Sequence, residues 1–295
     1  MASVLHRSVR ARGGVAAVVL CALVFLAAFV GPALAPQNPF DLADIDLSNA
    51  SIPPAWLAAG DPRFLLGTDD QGRDILSAIL YGARISLLVS LSAVVLAMLL
   101  GTAVGLLSGW YGGIVDAVTM RIADVQLTFP ALLVALLIDG LIRGAIGGAT
   151  GETTALLVVI AAIALSLWVQ FARMVRALTM VEAGKPYVDA GRLIGARPAR
   201  LLLLHVLPNI AGPIFVMATL DLAFAIVVES TLSYLGVGVS AARPSLGTLI
   251  RLGSDFLYSG AWWMTVFPGA ALFVIVLAVN LLGDRWRDAI DPRLQ

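Results

Sequence analysis

Charge, cysteine and histidine are scarce in this 295-residue sequence. Only 13% of its residues are charged, whereas soluble domains average about 25%. Its 19 basic and 19 acidic residues cancel, so no basic excess indicates binding to nucleic acid. The single cysteine, Cys21, excludes an internal disulfide and a thiolate zinc site, and we interpret it as a small packing residue. The composition is instead 60% apolar with a mean hydropathy of +0.95, which is typical of a membrane protein.

The motifs of common enzymes are also missing. The only lysine, Lys185, precedes a proline, and Thr179 stands where a phosphate-binding loop requires its first glycine, which excludes G-x-x-x-x-G-K-[ST]. Neither HExxH nor G-x-S-x-G occurs, and His6 and His205 lie in separate parts of the sequence. We therefore expect a chain that is not an enzyme and that holds neither a metal nor a cofactor of its own.

Six long apolar runs predict an all-α, multi-pass membrane protein with six transmembrane helices. The runs are 14–36, 85–107, 125–142, 154–172, 211–235 and 262–283. Each suits a hydrocarbon core about 30 Å thick and is too uniformly apolar for a barrel strand. Pro130 and Asp139 interrupt the third run, which is compatible with a span if neighbouring helices or a watery cavity cover them. A cleaved signal peptide is the alternative for the first run, because three arginines precede it and Ala33-Leu34-Ala35 resembles a cleavage site.

Basic residues predict the orientation of the bundle. The stretch 173–200 contains six of them and each terminus adds three, whereas the stretch 41–74 carries seven aspartates. Cytoplasmic loops are enriched in arginine and lysine. Both termini and the connection 173–209 are therefore predicted to face the cytoplasm, and the acidic segment to face outward.

The long cytoplasmic connection is predicted to contain two short helices. Pro186 suits a first helical turn and Gly195 suits the left-handed residue after a helix, which predicts a helix over 186–194. Pro198 is expected to start a second helix and Pro208 to stop it. A helix of about nine residues is marginal in water, so the first should be ordered by docking onto a partner. A solvated loop that reflects only the charge asymmetry is the alternative.

This connection contains Asp189-Ala190-Gly191, then Gly195 after three residues, and His205-Val206-Leu207-Pro208 after nine more. The motif resembles the "EAA" loop of ABC importer permeases. The family pattern is Glu-Ala-Ala-x3-Gly-x9-Ile-x-Leu-Pro, and this chain matches it in register, with Asp, Gly and His in place of Glu, the second Ala and Ile. The extra glycine lowers helix propensity by about 1 kcal/mol relative to alanine. The resemblance implies an ATPase-coupling site, in which we expect Asp189 to make a charge contact. Its residues are Asp189, Ala190, Gly191, Gly195, His205, Leu207 and Pro208.

Further segments resemble the dipeptide/oligopeptide/nickel class of these permeases. They are LGTDDQGRD at 66–74, YGARISL at 81–87, MRIAD at 120–124 with Phe129-Pro130, ESTLSYLG at 229–236 and NLLGDRWRDAIDPRL at 280–294. The last segment is typical of the C-type subunit. The resemblance implies a type-1 permease core over 85–283 with its coupling loop at 173–209. An N-terminal part over 1–84 precedes this core, and a cytoplasmic tail over 284–295 follows it.

The same resemblance implies a heterodimer in the bilayer of a bacterial inner membrane. Its partners would be a second, B-type permease, one or two cytoplasmic ATPases that bind ATP and Mg²⁺, and an extracytoplasmic substrate-binding protein. Peptides are the expected solute, with nickel chelates, glutathione and opines as alternatives. A secondary transporter, which needs no ATPase and often shows an internal repeat, is the rival from another class. An integral membrane enzyme is a further rival, but it would need convergent catalytic groups that the motifs do not supply.

Two acids in the fifth predicted span are candidates for the translocation pathway. Asp221 lies near its middle, and Glu229 follows eight residues later, within about 80° on a helix. Ionisable groups at this depth are costly and tend to face a cavity. We expect Asp221 to contact the passing solute, for example an ammonium group, and Glu229 to serve an outer gate or a structural hydrogen bond. Internal pairing with a neighbouring helix is the alternative for both.

The outer segment before the second span is predicted to contain an amphipathic helix. Thr68 and Gln71 can form a capping box at its start. Its apolar face consists of Ile75, Leu76, Ile79, Leu80 and Ala83. The helix is expected either to lead directly into the second span or to lie at the outer interface and meet a binding protein.

Overall fold

The computed structural model describes residues 12–41, 44–146, 151–238 and 243–290, and these residues are mostly helical without a β-strand. The α-helices are α1 (Arg12–Phe29), α2 (Gly31–Leu34), α3 (Ile75–Tyr111), α4 (Gly113–Leu127), α5 (Ala131–Ile146), α6 (Glu152–Ala183), α7 (Pro186–Leu193), α8 (Pro198–Leu201), α9 (Leu207–Tyr234), α10 (Leu246–Ser254) and α11 (Trp263–Ile290). Short 3₁₀ turns occupy Leu47–Asn49 and Leu257–Ser259, and a π-helical turn occupies Leu202–Val206. Arg7, Arg10 and the last residues of the C-terminal motif lie outside the described residues.

The all-α, multi-span architecture predicted from the apolar runs is confirmed. The helices α3, α6 and α11 and the helical stretch Pro198–Tyr234 are each long and apolar enough to cross a membrane. The helices α4 and α5 pass the same test only together, as a pair bent by 100°. The apolar part of α1, Val15–Phe29, is shorter, and within it Cys21 is a buried free thiol. The six predicted runs thus correspond to four continuous stretches, the bent pair and α1.

The third predicted span, 125–142, is not one straight helix. The helix α4 ends at Leu127 and α5 begins after Pro130, whose missing N–H and effect on the preceding residue oppose a continuous helix. Gln126, in the last turn of α4, fixes the position of the break against α6. Its side-chain amide donates to the carbonyl of Leu165 on α6 at 2.7 Å and accepts from the Trp168 indole at 3.0 Å.

Helices α3 and α6 pack with their backbones in close approach. Gly101, Gly105 and Gly109 of α3 recur at intervals of four residues and face α6. A Cβ atom on Gly105 would lie 2.6 Å from the carbonyl oxygen of Ala172, and the other two glycines are similarly tight. Small residues at this spacing are a common basis of helix association in membranes. The α3–α6 pair therefore forms the centre of the main apolar core, which includes Phe171.

The outer segment leads directly into the second span, because α3 runs without interruption from Ile75 through the apolar run. The predicted capping box is wrong. The N-cap is Asp74, whose carboxylate accepts from the N–H of Ser77 at 2.8 Å. The Thr68 hydroxyl does not cap the helix. It donates to the carbonyl of Asn49 at 2.6 Å and accepts from the backbone N–H of Ile52 at 2.8 Å.

A compact turn anchors this segment to the bundle. The carboxylate of Asp69 accepts from the backbone N–H groups of Gln71 and Arg73, each at 2.9 Å, and binds the Arg73 guanidinium at 2.6 Å. The indole of Trp263, at the start of α11, donates to the carbonyl of Thr68 at 3.1 Å. The turn is thereby attached to the start of α11.

Candidate functional site

The first helix predicted in the cytoplasmic connection is observed as α7, and it ends as its glycine predicts. Gly195 has a φ of +77°, a conformation that L side chains rarely adopt. Its N–H donates to the carbonyl of Arg192, and the N–H of Ala196 donates to that of Gly191, both at 3.0 Å. These two bonds form a Schellman motif, which turns the chain back after α7.

The second predicted helix begins at Pro198 as expected, but Pro208 does not stop it. The helix α8 continues through the π-helical turn into α9, so that Pro198–Tyr234 is one helical stretch. In this turn the N–H of Leu207 donates to the carbonyl of Leu202, five residues earlier. Pro208 lies in the first turn of α9, directly after this wider turn, which carries the helical stretch past the missing N–H of the proline.

A polar cluster next to α7 joins three elements. The buried carboxylate of Glu182, near the end of α6, accepts from the Tyr187 hydroxyl at 2.9 Å and from the Asn209 amide at 3.1 Å. It also binds the ammonium of Lys185 at 2.7 Å, which raises the pKa of Lys185. Burial raises the pKa of the Tyr187 hydroxyl. We call Glu182, Tyr187 and Asn209 the coupling triad, because it attaches α7 to the ends of both α6 and α9.

The coupling triad was not recognised from the sequence. Apolar and cationic contacts of other α7 residues also hold this helix against the bundle. Val188 of α7 is completely buried in the main core. The guanidinium of Arg192 lies 4.8 Å from the ring centre of Trp110, near the C-terminal end of α3. Gly191 admits the Leu201 side chain, because a Cβ atom at position 191 would lie 2.6 Å from it. The glycine that departs from the family pattern therefore has a packing role here.

The opposite side of α7 is exposed. Leu193 and Ile194 are 88% and 85% exposed, and Ala190 is exposed beside them. The Asp189 side chain is 62% exposed and pairs with Arg192 at 3.3 Å. His205 and Pro208 are also exposed, whereas Leu207 is half-buried. Leu193 and Ile194 thus form an exposed apolar tip at the end of a helix whose other side is buried. Such a tip is suited to insertion into a groove of a partner.

The two acids of the fifth span have separate surroundings. Asp221 is buried on the face of α9 that also carries Ile214, Ala225 and Val228, toward the main core. Its Oδ2 atom has no hydrogen-bond partner among the described residues. Eight residues along a helix correspond to about 12 Å, so Glu229 lies about two turns closer to the C-terminal end of α9. The contact predicted between Asp221 and the solute stays a prediction.

Glu229 is completely buried and is held by hydroxyl groups. Ser233 donates to it at 2.8 Å and Ser230 at 3.3 Å, and Ser86 of α3 and Ser245 also hydrogen-bond to it. Ser245 is the N-cap of α10, so the carboxylate lies at a helix N-terminus, which favours a negative charge. This arrangement agrees with the structural hydrogen bond considered for Glu229, and it joins α3, α9 and α10.

Known proteins are similar in sequence to this chain over most of its length. Residues 101–295 match the family described as "Binding-protein-dependent transport system inner membrane component". The di/tripeptide transport system permease protein DppC of Pseudomonas aeruginosa is 37% identical over 285 residues, which cover 96% of this chain and 89% of the relative. The dipeptide transport system permease protein DppC of Escherichia coli K12 is 38% identical over 290 residues, which cover 98% and 92%.

A solved structure shares the fold. A structure of the MetNI methionine ABC transporter in an inward-facing conformation aligns with a TM-score of 0.54 and 20% identity, over 72% of this chain and 97% of that chain. The near full-length relatives and the family match confirm the resemblance indicated by the EAA-like motif and the C-terminal segment. The chain therefore belongs to the family of binding-protein-dependent transport system inner membrane components.

Proposed function

We propose that this chain is the C-type permease of a bacterial ABC importer and forms, with a B-type permease, a pathway for di- and oligopeptides. The names of the relatives that align over almost the whole chain support the peptide class. The observation that carries the coupling role is the exposed apolar tip of α7, at Leu193 and Ile194, on a base held by the coupling triad. One or two cytoplasmic ATPases would receive this tip, and an extracytoplasmic binding protein would deliver the peptide.

In this proposal ATP and Mg²⁺ bind to the ATPases, and the permease converts their closure into movement of its spans. Both termini and α7 would lie on the cytoplasmic side. A displacement of α7 acts on α6 through Glu182 and on α9 through Asn209, because both side chains belong to the coupling triad. The ATPases can shift the bundle between outward-open and inward-open states only if their closed form binds those states with different free energies.

We assign Asp221 to the solute pathway as part of the same proposal. The unpartnered Oδ2 atom supports this assignment, because an unpaired carboxylate in an apolar core is costly unless it gains a partner, either from another molecule or in another conformation. The ammonium of a peptide is a suitable partner once α9 moves relative to α3 and α6. An Asp221→Asn variant that transports dipeptides with unchanged affinity and rate would refute this role.

The coupling role is tested on the complete complex, co-expressed with its permease and ATPase partners. Leu193→Ser together with Ile194→Ser removes the apolar tip but leaves the buried side of α7 intact. We expect the ATPases to dissociate from the purified complex and ATP-driven dipeptide uptake to be lost. Leu47→Ser with Leu65→Ser, which alters two exposed leucines of the outer segment, is the matched control and should retain both. A tip variant that retains the ATPases and normal uptake would overturn the proposal.

The solute class is tested with the same complex in proteoliposomes that contain the binding protein outside. Uptake of a labelled dipeptide should depend on ATP and be inhibited by unlabelled di- and tripeptides. Glutathione, an opine or a nickel chelate in equal excess should not inhibit it. Inhibition by one of these solutes alone, with no effect of peptides, would contradict the peptide assignment while leaving the coupling role intact.

A further inference from the structure

A charged pair near the end of α5 joins this helix to the turn that follows α9. Asp139 is completely buried, and its carboxylate binds the Nε atom of Arg143, one helical turn later, at 2.7 Å. The Nη2 atom of the same guanidinium donates to the carbonyls of Val237 and Gly238, each at 3.1 Å. Arg143 therefore connects a carboxylate on its own helix with two carbonyls that lie 94 and 95 residues later in the sequence.

The turn that receives Arg143 is well defined because α9 ends there in a Schellman motif. Gly236 has a φ of +81°, its N–H donates to the Ser233 carbonyl at 3.1 Å, and the N–H of Val237 donates into the last turn of α9 at 3.0 Å. Gly238 packs against Ser233, since a Cβ atom at position 238 would lie 2.1 Å from the serine hydroxyl. The Ser233 hydroxyl also binds Glu229, so this turn is continuous with the Glu229 site.

The helix α5 is attached differently at its two ends. It begins at the break that follows α4, where Gln126 holds the end of α4 against α6. Along its length α5 packs mainly on α6 and approaches α9 at few points. Cβ atoms on Gly140 and Gly144 would meet no atom within 4 Å, so the face of α5 that carries these glycines is not covered by the described residues, whereas Asp139 lies on a buried face. The helix α5 thus follows a bend at Pro130 and is held by a polar contact near its C-terminal end.

We propose that Arg143 holds an outer gate of the transporter closed. While its guanidinium binds the carbonyls of Val237 and Gly238, α5 is held against the outer end of α9; when these bonds break, α5 swings about Pro130. Asp139 is a positioning residue, because its carboxylate orients the guanidinium toward the two carbonyls. The ion pair persists in both positions, since separating it would leave a buried charge uncompensated. The inference deepens the proposed transport function and depends on it.

The inference is tested by distance measurements on the complete transporter complex in lipid nanodiscs. Spin labels are placed at Gly144→Cys on α5 and at Tyr258→Cys, which is 99% exposed beyond α10, with Cys21→Ala to remove the native thiol. With Arg143 intact and no nucleotide we expect one narrow distance distribution. Arg143→Lys keeps the charge beside Asp139 but cannot reproduce the fork that spans two carbonyls. We expect it to raise the population at longer distances roughly tenfold, the effect of losing about one charge-assisted hydrogen bond.

A second variant keeps the test decisive if Arg143→Lys affects assembly. Asp139→Asn with Arg143→Gln removes both charges without leaving either one unpaired, and it should produce the same longer distances. Asp124→Asn with Arg173→Gln is the matched control, because this exposed pair joins α4 and α6 at 3.6 Å on the inner side of the break; it should leave the distribution unchanged.

Unchanged distance distributions in both Arg143 variants, in every nucleotide state, would overturn the gating role of Arg143. Short distances in Arg143→Lys together with long distances in the double variant would also overturn it. The ion pair with residue 139 would then hold α5 in place without the bonds to the two carbonyls. A wild-type complex that takes up no dipeptide would refute the proposed function itself. Normal wild-type uptake with unchanged distances in the variants would refute only this inference.

Discussion

At the scale of single residues, the buried acids of this chain differ in how their charge is compensated. Glu229 accepts from serine hydroxyls at a helix N-terminus, and Glu182 binds groups from three elements. Asp139 pairs through Oδ2 with an arginine of its own helix, and its Oδ1 atom has no hydrogen-bond partner among the described residues. A carboxylate that is fully hydrogen-bonded stabilises the elements it joins, whereas one that loses a partner destabilises them. The consequence of a substitution therefore depends on which elements share the carboxylate.

Glu182→Ala should uncouple ATP hydrolysis from transport. The substitution leaves the Tyr187 hydroxyl and the Asn209 amide without their shared acceptor, and it removes hydrogen bonds to a charged group that contribute about 1.5–3 kcal/mol each. We expect peptide uptake to fall at least tenfold while the ATPases remain bound and hydrolyse ATP. Glu182→Gln is the matched control, since its amide oxygen still accepts both bonds. Equal uptake per ATP in wild type and Glu182→Ala would contradict a coupling role for the triad.

Asp70 should make the stability of the protein depend on pH. It lies in a hollow lined by Ile75, Leu249 and Met264, where burial, and next the charge of Asp69, raise the pKa of Asp70. An acid whose pKa is raised on folding binds its proton more tightly in the folded state, so stability falls as pH rises through this pKa. Asp70→Asn should therefore raise the midpoint of thermal unfolding at neutral pH, and the difference should shrink toward about pH 4. A difference that grows on acidification would have the opposite sign and exclude this cause.

At the scale of elements, the geometry of α3 and α6 depends on the absence of side chains. On Gly105 a Cβ atom would approach both the carbonyl oxygen of Ala172 and the Cβ atom of Val175, at 2.6 and 2.8 Å. Gly105→Ala should therefore separate the two helices and destabilise the complex by about 1–3 kcal/mol, as overpacking does in other cores. Gly269→Ala on α11, where a Cβ atom meets nothing within 4 Å, is the control. Thermal unfolding of the two purified variants measures the difference, and equal midpoints would contradict close packing at Gly105.

The sequence predicted these elements unevenly. It located α7 well, because Pro186 and Gly195 determine the start and the end of a helix through local backbone geometry. It failed at Pro208, since a π-helical turn can carry a helix past a proline and has no simple sequence signal. The close α3–α6 contact was also missed, although Gly101, Gly105 and Gly109 at four-residue intervals are a recognisable packing motif.

At the scale of the whole molecule, the chain is predicted to be a passive part of a larger machine. Reconstituted alone in proteoliposomes, it should accumulate no dipeptide under a proton or sodium gradient, because the proposed energy input reaches it through α7. Addition of the partner permease, the ATPases and the binding protein should restore ATP-dependent uptake. Ion-driven uptake by this chain alone would instead support a secondary transporter.

The sequence by itself determined the membrane class, the approximate spans, the position of α7 and the absence of a phosphate-binding loop. These properties depend on composition, on local turn chemistry or on contiguous motifs, all of which can be recognised along the chain. Tertiary structure alone decided which polar groups meet, including Glu182 with Asn209 and Arg143 with the carbonyl of Val237. The physical reason is that uniformly apolar helices carry little periodicity, so that only their packing reveals which faces and which distant side chains come together.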